Sequence, residues 1–231
     1  MKWALYERLQ AATSAGISAA MVTRLADGAQ SLFDGERWQG ALDIPEEQRA
    51  AVRRMLAADK SGVLAGAEGL FVRSYARAPR LVVVGAAHIS QFLAPMATLA
   101  GFEVIVIDPR RAFASAERFP GVKLIDAWPD KALEQLPLDA TSALVTLTHD
   151  PKLDDPALIA ALASPAFYIG ALGSTRTHAK RVARLTEAGL GDKVARIHAP
   201  VGLDLGGRAR SEIAVSILAE VIQVRYRGEA G

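Results

Sequence analysis

From Pro79 onward the chain alternates short continuous apolar runs with stretches of helical spacing, and this alternation constrains the fold more than any other feature. The runs cover residues 81–84, 104–107, 122–125, 143–147, 166–169 and 194–197. A strand covered on both faces has no polar side, so it reads as an unbroken apolar run. Helical spacing fills residues 89–100, 130–136, 157–163 and 175–188, and a last helix starts at Ser211 and reaches about Tyr226. Six buried strands with helices between them predict an α/β fold, a Rossmann-like doubly wound parallel sheet, most simply of order 3-2-1-4-5-6. Pro95 lies inside the first crossover helix and predicts a kink.

The preceding residues have another pattern. Trp3, Leu5 and Leu9 give helical spacing over residues 3–12. Apolar runs at 20–25 and 29–33 flank Asp27-Gly28, a hairpin signal. Pro45-Glu46-Glu47 opens a helix whose apolar face is Ala51, Val52, Met55 and Leu56. Val63-Leu64 and residues 70–75 form a second hairpin about residues 66–69. The expected organisation is a small α+β N-terminal domain, residues 1–79, before a Rossmann-like domain, residues 80–231. A unit as short as the first is expected to need docking for stability.

The 231 residues suffice for a proper core, and Lys+Arg exceed Asp+Glu by 27 − 25, or +2. So small an excess gives no reason to expect a nucleic-acid partner. The chain has no cysteine, which excludes disulfides, thiolate metal sites and a cysteine nucleophile. No apolar run approaches the ~20 residues of a membrane span. Glu7, Arg8 and Gln10 interrupt the N-terminus where a signal peptide needs an apolar stretch, so a cytoplasmic protein without membrane contact is expected.

Four segments carry candidate chemistry, and each has a plainer reading. Residues 81–90 run from a strand through Gly85, Ala86 and Ala87 into a helix with His88 and Ser90, and Asp108 ends the next strand. This is the layout of a dinucleotide fingerprint, in which small residues let a phosphate approach amide groups at the helix start. Gly85, Ala87 and Ser90 stand at the three glycine positions, and the Ala87 methyl obstructs a close pyrophosphate; the plainer reading is a fold that keeps the turn without the ligand. Asp108 could accept from ribose hydroxyls and Arg110 could bind a phosphate, against a solvated loop. His149 and Asp150 follow the fourth strand, where parallel sheets bind ligands; they are read as ligand-contacting, against a structural loop. No second histidine stands at ligand spacing, so no metal site is assigned. Gly173, Ser174 and Arg176 lead the fifth strand into a basic helix, an anion site unless Ser174 merely caps the helix. On that helix Lys180, Arg181 and Arg184 read as a solvated face and His178 as a surface residue. The last segment, residues 198–207, contains Gly202 and suggests a fixed loop at the same sheet edge, with His198 hydrogen-bonded within it. The last helix is apolar on more than one face, which fits burial in the domain or a homodimer contact.

In this order, residues 81–90, Thr148-His149-Asp150, residues 168–174, residues 198–204 and residues 212–217 resemble the XdhC/CoxI family of xanthine dehydrogenase accessory proteins. The resemblance covers roughly residues 80–226. It implies a Rossmann C-terminal domain that binds molybdenum cofactor, as molybdopterin or its dinucleotide form, and hands it to an apo molybdenum hydroxylase. A cysteine desulfurase is a further partner it suggests, and chaperone action without catalysis is the expected role. Ala87 stands where the family fingerprint has glycine, and residues 1–79 resemble a shortened N-terminal domain without the family's cysteine-bearing, glycine-rich segment. The cofactor-binding set so implied is Gly85, Ala87, His88, Ser90, Asp108, Arg110, His149, Asp150, Gly173, Ser174, Arg176 and Gly202. Two other readings stay open. One is an NAD(P)-dependent oxidoreductase with His149 or His88 as acid/base group; the other is a non-catalytic interaction module.

Overall fold

The computed structural model describes residues 2–67 and 69–227, and the chain divides into two compact units, Met1–Ala78 and Pro79–Gly231. Among the described residues no helix is long and apolar enough to cross a membrane.

The first unit holds α1 (Trp3–Ser14), β1 (Ala19–Arg24), β2 (Gln30–Phe33), β3 (Trp38–Gly40), α2 (Glu46–Ala57), β4 (Gly62–Val63) and β5 (Leu70–Tyr75). Its antiparallel sheet has the order β3-β2-β1-β5-β4. Both expected hairpins form, and the short β3 is an addition that the sequence pattern did not signal. The first four residues of β1, Ala19 to Val22, are apolar because both faces are covered there. Ala20 and Val22 pack with Val52 and Leu56 of α2, and Ala19 and Met21 pack with Leu5, Leu9 and Ala12 of α1.

The second unit contains β6 (Arg80–Val84), α3 (His88–Leu99), β7 (Glu103–Ile107), β8 (Lys123–Ile125), α4 (Pro129–Gln135), β9 (Ser142–Thr146), α5 (Pro151–Ala163), β10 (Tyr168–Ala171), α6 (Thr175–Glu187), β11 (Ile197–His198) and α7 (Arg210–Arg227). The strands run parallel in the order β11-β10-β9-β6-β7-β8, the doubly wound order expected. Side-chain parity on β6 explains the unbroken apolar run. Leu81 and Val83 face α3 and α7, while Val82 and Val84 face α4 and α5. Ala214, Ile217 and Val221 of α7 are fully buried in the first of these layers, so the most apolar stripe of α7 is used within its own unit.

Three boundaries depart from expectation. Residues 194–196 belong to a 3-10 turn, Gly191–Arg196, and β11 keeps only two residues, because Val194 packs on the core from that turn rather than from the sheet. β10 starts later than residue 166 and continues through Gly170, whose bare Cα fits between Val201 and the Tyr168 ring. α5 starts at Pro151, not 157. Proline suits the first helical position, the Asp150 carboxylate accepts from the Lys152 N–H, and the helix continues through Pro156. α3 likewise runs on through Pro95, which lies on its exposed side, where a lost amide bond leaves a carbonyl open to water.

One buried polar cluster fixes the loop between β11 and α7. The Tyr168 hydroxyl donates to Glu220 Oε2 at 2.5 Å, the Gly202 N–H donates to the same oxygen at 2.7 Å, and His198 Nδ1 lies 3.0 Å from Glu220 Oε1. The Tyr168 and His198 rings stack at 4.6 Å. Burial, and then the Glu220 hydrogen bond, hold the Tyr168 hydroxyl far above the usual phenol range. Tyr168→Phe is expected to cost about 1.5–3 kcal/mol in urea unfolding, the net worth of a hydrogen bond to a charged acceptor. A loss below ~0.5 kcal/mol would mean that the cluster does not hold the loop.

Candidate functional site

The site is built from loops at the C-terminal ends of β6, β7, β9 and β10, around the point where the strand order reverses between β6 and β9. Its first wall is the turn after β6. Gly85 has φ +108°, and a Cβ there would lie 2.4 Å from the Thr148 methyl, so only glycine lets the two loops approach. The Ala86 N–H donates to Asp108 Oδ2 at 2.8 Å. Ser90 is fully buried, and its hydroxyl donates to the Gly85 carbonyl at 2.7 Å. Ala87 is the N-cap of α3 and offers no side-chain acceptor. The first amides of that helix therefore have no side-chain cap, a ready anion position, with His88 exposed beside it.

Asp108 takes a different place from the one expected of a ribose acceptor. It is fully buried. It accepts from Ala86 N–H, from Arg110 N–H and from two guanidinium nitrogens of Arg110, at 2.8–2.9 Å. Those donors occupy the lone pairs of both oxygens. Burial works to raise this carboxyl, but the Arg110 side chain and the two amides outweigh it and hold it below the usual carboxylate range. The half-exposed Arg110, stacked over Phe113 at 4.7 Å, is the group this loop presents outward. The Ser90 hydroxyl is likewise engaged within the turn, on the Gly85 carbonyl. Gly202 is also turned away. Its N–H is taken by Glu220, and a Cβ there would meet Ser216 of α7 at 2.4 Å.

The second wall is a cavity of about 230 Å³ between α5 and α6, lined by His149, Pro151, Asp154, Arg176, Thr177, Lys180, Arg181 and Arg184. His149 has φ +64°, a left-handed conformation costly for a residue with a side chain, and it is exposed. Asp150 is consumed as the cap of α5, and Ser174 caps α6 by accepting from the Thr177 N–H at 3.2 Å. Gly173 only leads into that cap. Thr148 joins the two walls: its methyl abuts Gly85, and its hydroxyl donates to Asp154 Oδ1 at 2.6 Å.

Arg181 is the residue that sequence reasoning missed. Rather than lying on a solvated face, it is 2% exposed and donates to the Leu172 carbonyl at 2.8 Å. Asp154, equally buried, lies 3.9 Å from it. The signal was present: Arg181 precedes the buried Leu185 by four residues and so shares its face. His178 was also misplaced at the surface, since it is half-buried. Burial and then Arg181 push its imidazole below the usual range. Arg184 is paired with Asp155 at 2.9 Å, whereas Arg176 and Lys180 stand exposed at the cavity mouth.

Comparison with known proteins identifies the family of the Rossmann unit. The family model described as the XdhC Rossmann domain matches residues 81–221. An uncharacterised Escherichia coli protein, YqeB, is 33% identical over 72% of this chain and 31% of its own length. A Bacillus subtilis protein described as a probable xanthine dehydrogenase component is 35% identical over 68% of this chain and 46% of its own length. The molybdenum cofactor insertion chaperone PaoD of Escherichia coli is 33% identical over 65% of this chain and 41% of its own length. The chain thus aligns with less than half the length of these curated relatives. A crystal structure described as a xanthine dehydrogenase from Bacillus halodurans superposes with a TM-score of 0.76 over 98% of this chain and 67% of that one. At 23% identity, that likeness is one of fold. With its Rossmann unit matched over residues 81–221, the chain belongs to the XdhC family.

Proposed function

We propose that this chain is an accessory factor that binds molybdenum cofactor and aids its insertion into an apo molybdenum hydroxylase of the xanthine dehydrogenase type. The observation that carries the reading is the pairing of two anion-receptive walls at one sheet edge: the α3 N-terminus without a side-chain cap and the basic cavity between α5 and α6. Molybdopterin carries a phosphate and its dinucleotide forms a pyrophosphate, and the buried, incompletely partnered guanidinium of Arg181 fits such a group. Similarity to PaoD supports the same cargo. Gly85, Ala87 and His88 would receive the ligand at the first turn, Arg110 beside them, and His149 and Arg176 at the cavity mouth. Asp108 and Ser90 would hold the loop's shape from within. The cofactor is cargo here, and the chain's own residues bind and orient it. An NAD(P) oxidoreductase loses its main support, because Asp108 has no free oxygen for a ribose.

The test is reconstitution. Cofactor released from a molybdenum enzyme is mixed with the purified chain, and activity of an apo hydroxylase is then measured. The expected result is retained cofactor and a gain in activity over cofactor alone; neither appearing would contradict the proposal. Ala87→Asp sharpens it. An aspartate at that N-cap is expected to stabilise the Rossmann unit by up to ~1 kcal/mol. It also occupies the amides and repels an anion. Cofactor retention is expected to fall about tenfold or more, the worth of one charge-assisted hydrogen bond. Thermal unfolding and retention are expected to move in opposite directions.

A further inference from the structure

We propose that the cavity between α5 and α6 is a phosphoryl site in its own right, in which the Arg181 guanidinium, with Arg176 and Lys180 at the mouth, holds the dianion of a phosphate monoester. This deepens the function proposed above, resting on it for what the phosphate is attached to but not for its capture.

The argument begins with unpaired atoms. Arg181 is 2% exposed, yet its Nε and Nη1 have no hydrogen-bond partner among the described residues. Asp154, also 2% exposed, has an unpartnered Oδ2. Buried polar atoms are nearly always satisfied, and orphaned charged ones are costly. A purely structural ion pair would close onto itself. Here the nearest approach is 3.9 Å, and the pair lines a cavity of about 230 Å³ instead. A single water needs only about 10–15 Å³, so there is room for a polyatomic ion.

The sign of the charge follows from the lining. Arg176 and Lys180 contribute cations with no ion pair among the described residues, Arg181 adds a third whose ion pair with Asp154 is long, 3.9 Å, and Arg184 is neutralised by Asp155. The acidic residue in the lining is Asp154, whose carboxyl burial pushes above the usual carboxylate range; the Thr148 hydroxyl and Arg181 pull it back less strongly. Guanidinium suits this task because it stays charged and its N–H donors are held in one plane, and with Nη2 committed to the Leu172 carbonyl the Nε and Nη1 donors remain for an anion. The strained His149 backbone keeps that residue at the rim, where a fourth donor can reach the same anion.

The test uses the full chain and inorganic phosphate, following the arginine Nε–H resonances by NMR. A saturable shift of the Arg181 resonance is expected, and titration without any shift would overturn the site. Arg176→Ala with Lys180→Ala, both exposed and harmless to the core, is expected to weaken binding at least tenfold, since each charge-assisted hydrogen bond is worth about that factor. Unchanged affinity in the double variant would overturn the proposal. Arg181→Lys keeps the charge and loses the planar set of donors; an equally large loss with an unchanged circular dichroism spectrum is expected, and full retention would overturn the role of the guanidinium. Arg111→Ala, on a side chain paired with Asp126 outside this cavity, serves as the control with unchanged affinity. A phosphopterin and a nucleoside monophosphate are then compared with their phosphate-free counterparts. Tighter binding of either phosphate by tenfold or more supports the site, and equal binding of both pairs overturns it. Capture of the nucleotide but not of the phosphopterin leaves the phosphoryl site standing while contradicting the cofactor reading.

Discussion

Gly85→Ala is expected to destabilise the Rossmann unit by about 3–5 kcal/mol. Two penalties add. At φ +108° an alanine occupies a backbone region that side chains rarely adopt, at ~1–3 kcal/mol. Its Cβ also meets the Thr148 methyl at 2.4 Å, and overpacking costs ~1–3 kcal/mol more. Thr148 cannot rotate away freely, because its hydroxyl is committed to Asp154 at 2.6 Å. Urea unfolding checks the size. Adding Thr148→Ser removes the methyl and keeps the hydroxyl, so the double variant is expected to recover the overpacking part and retain the backbone part. A loss under ~1 kcal/mol in the single variant would show that the turn has more room than the geometry gives it.

Asp108→Asn is expected to cost about 3 kcal/mol at pH 7. The carboxylate serves two amides and one guanidinium, and hydrogen bonds to a charged group are worth ~1.5–3 kcal/mol each. Arg110 is half-exposed and can turn to water, so its share is discounted for screening, whereas the buried Ala86 N–H has no such escape. The pH dependence has a defined sign. A carboxyl held below its unfolded value, ~3.9, contributes stability that is present above that value and is lost as pH falls through the folded one. The gap between wild type and Asp108→Asn is therefore expected to be constant from pH 8 to about 5 and to narrow in more acidic solution. A gap that widens on acidification would contradict the placement of Asp108.

The architecture was legible because parallel strands covered on both faces leave continuous apolar runs, and these arise from the parity seen on β6. The ends of elements were less legible. Pro156 suggests a break that the N-cap at Asp150 and proline at the first helical position override, and Val194 is apolar in a 3-10 turn for the same packing reason that would make it apolar in a strand. Within the candidate site, sequence spacing located the loops but not which way their side chains turn. Asp108 stands where a ribose acceptor belongs, yet Arg110 two residues on turns it inward. At Gly202 the sequence does not show that Ser216 stands 2.4 Å from where a Cβ would lie. Arg181 was hidden by its neighbours Lys180 and Arg184, which make one basic run of residues on two helix faces.

The most direct test of the account is gel filtration of the purified chain with cofactor freshly released from a molybdenum enzyme, following pterin fluorescence after oxidation. The account predicts pterin eluting with the protein for wild type and losing most of that association for Ala87→Asp. Pterin that elutes wholly at the position of the free cofactor in the presence of folded wild-type chain would contradict it.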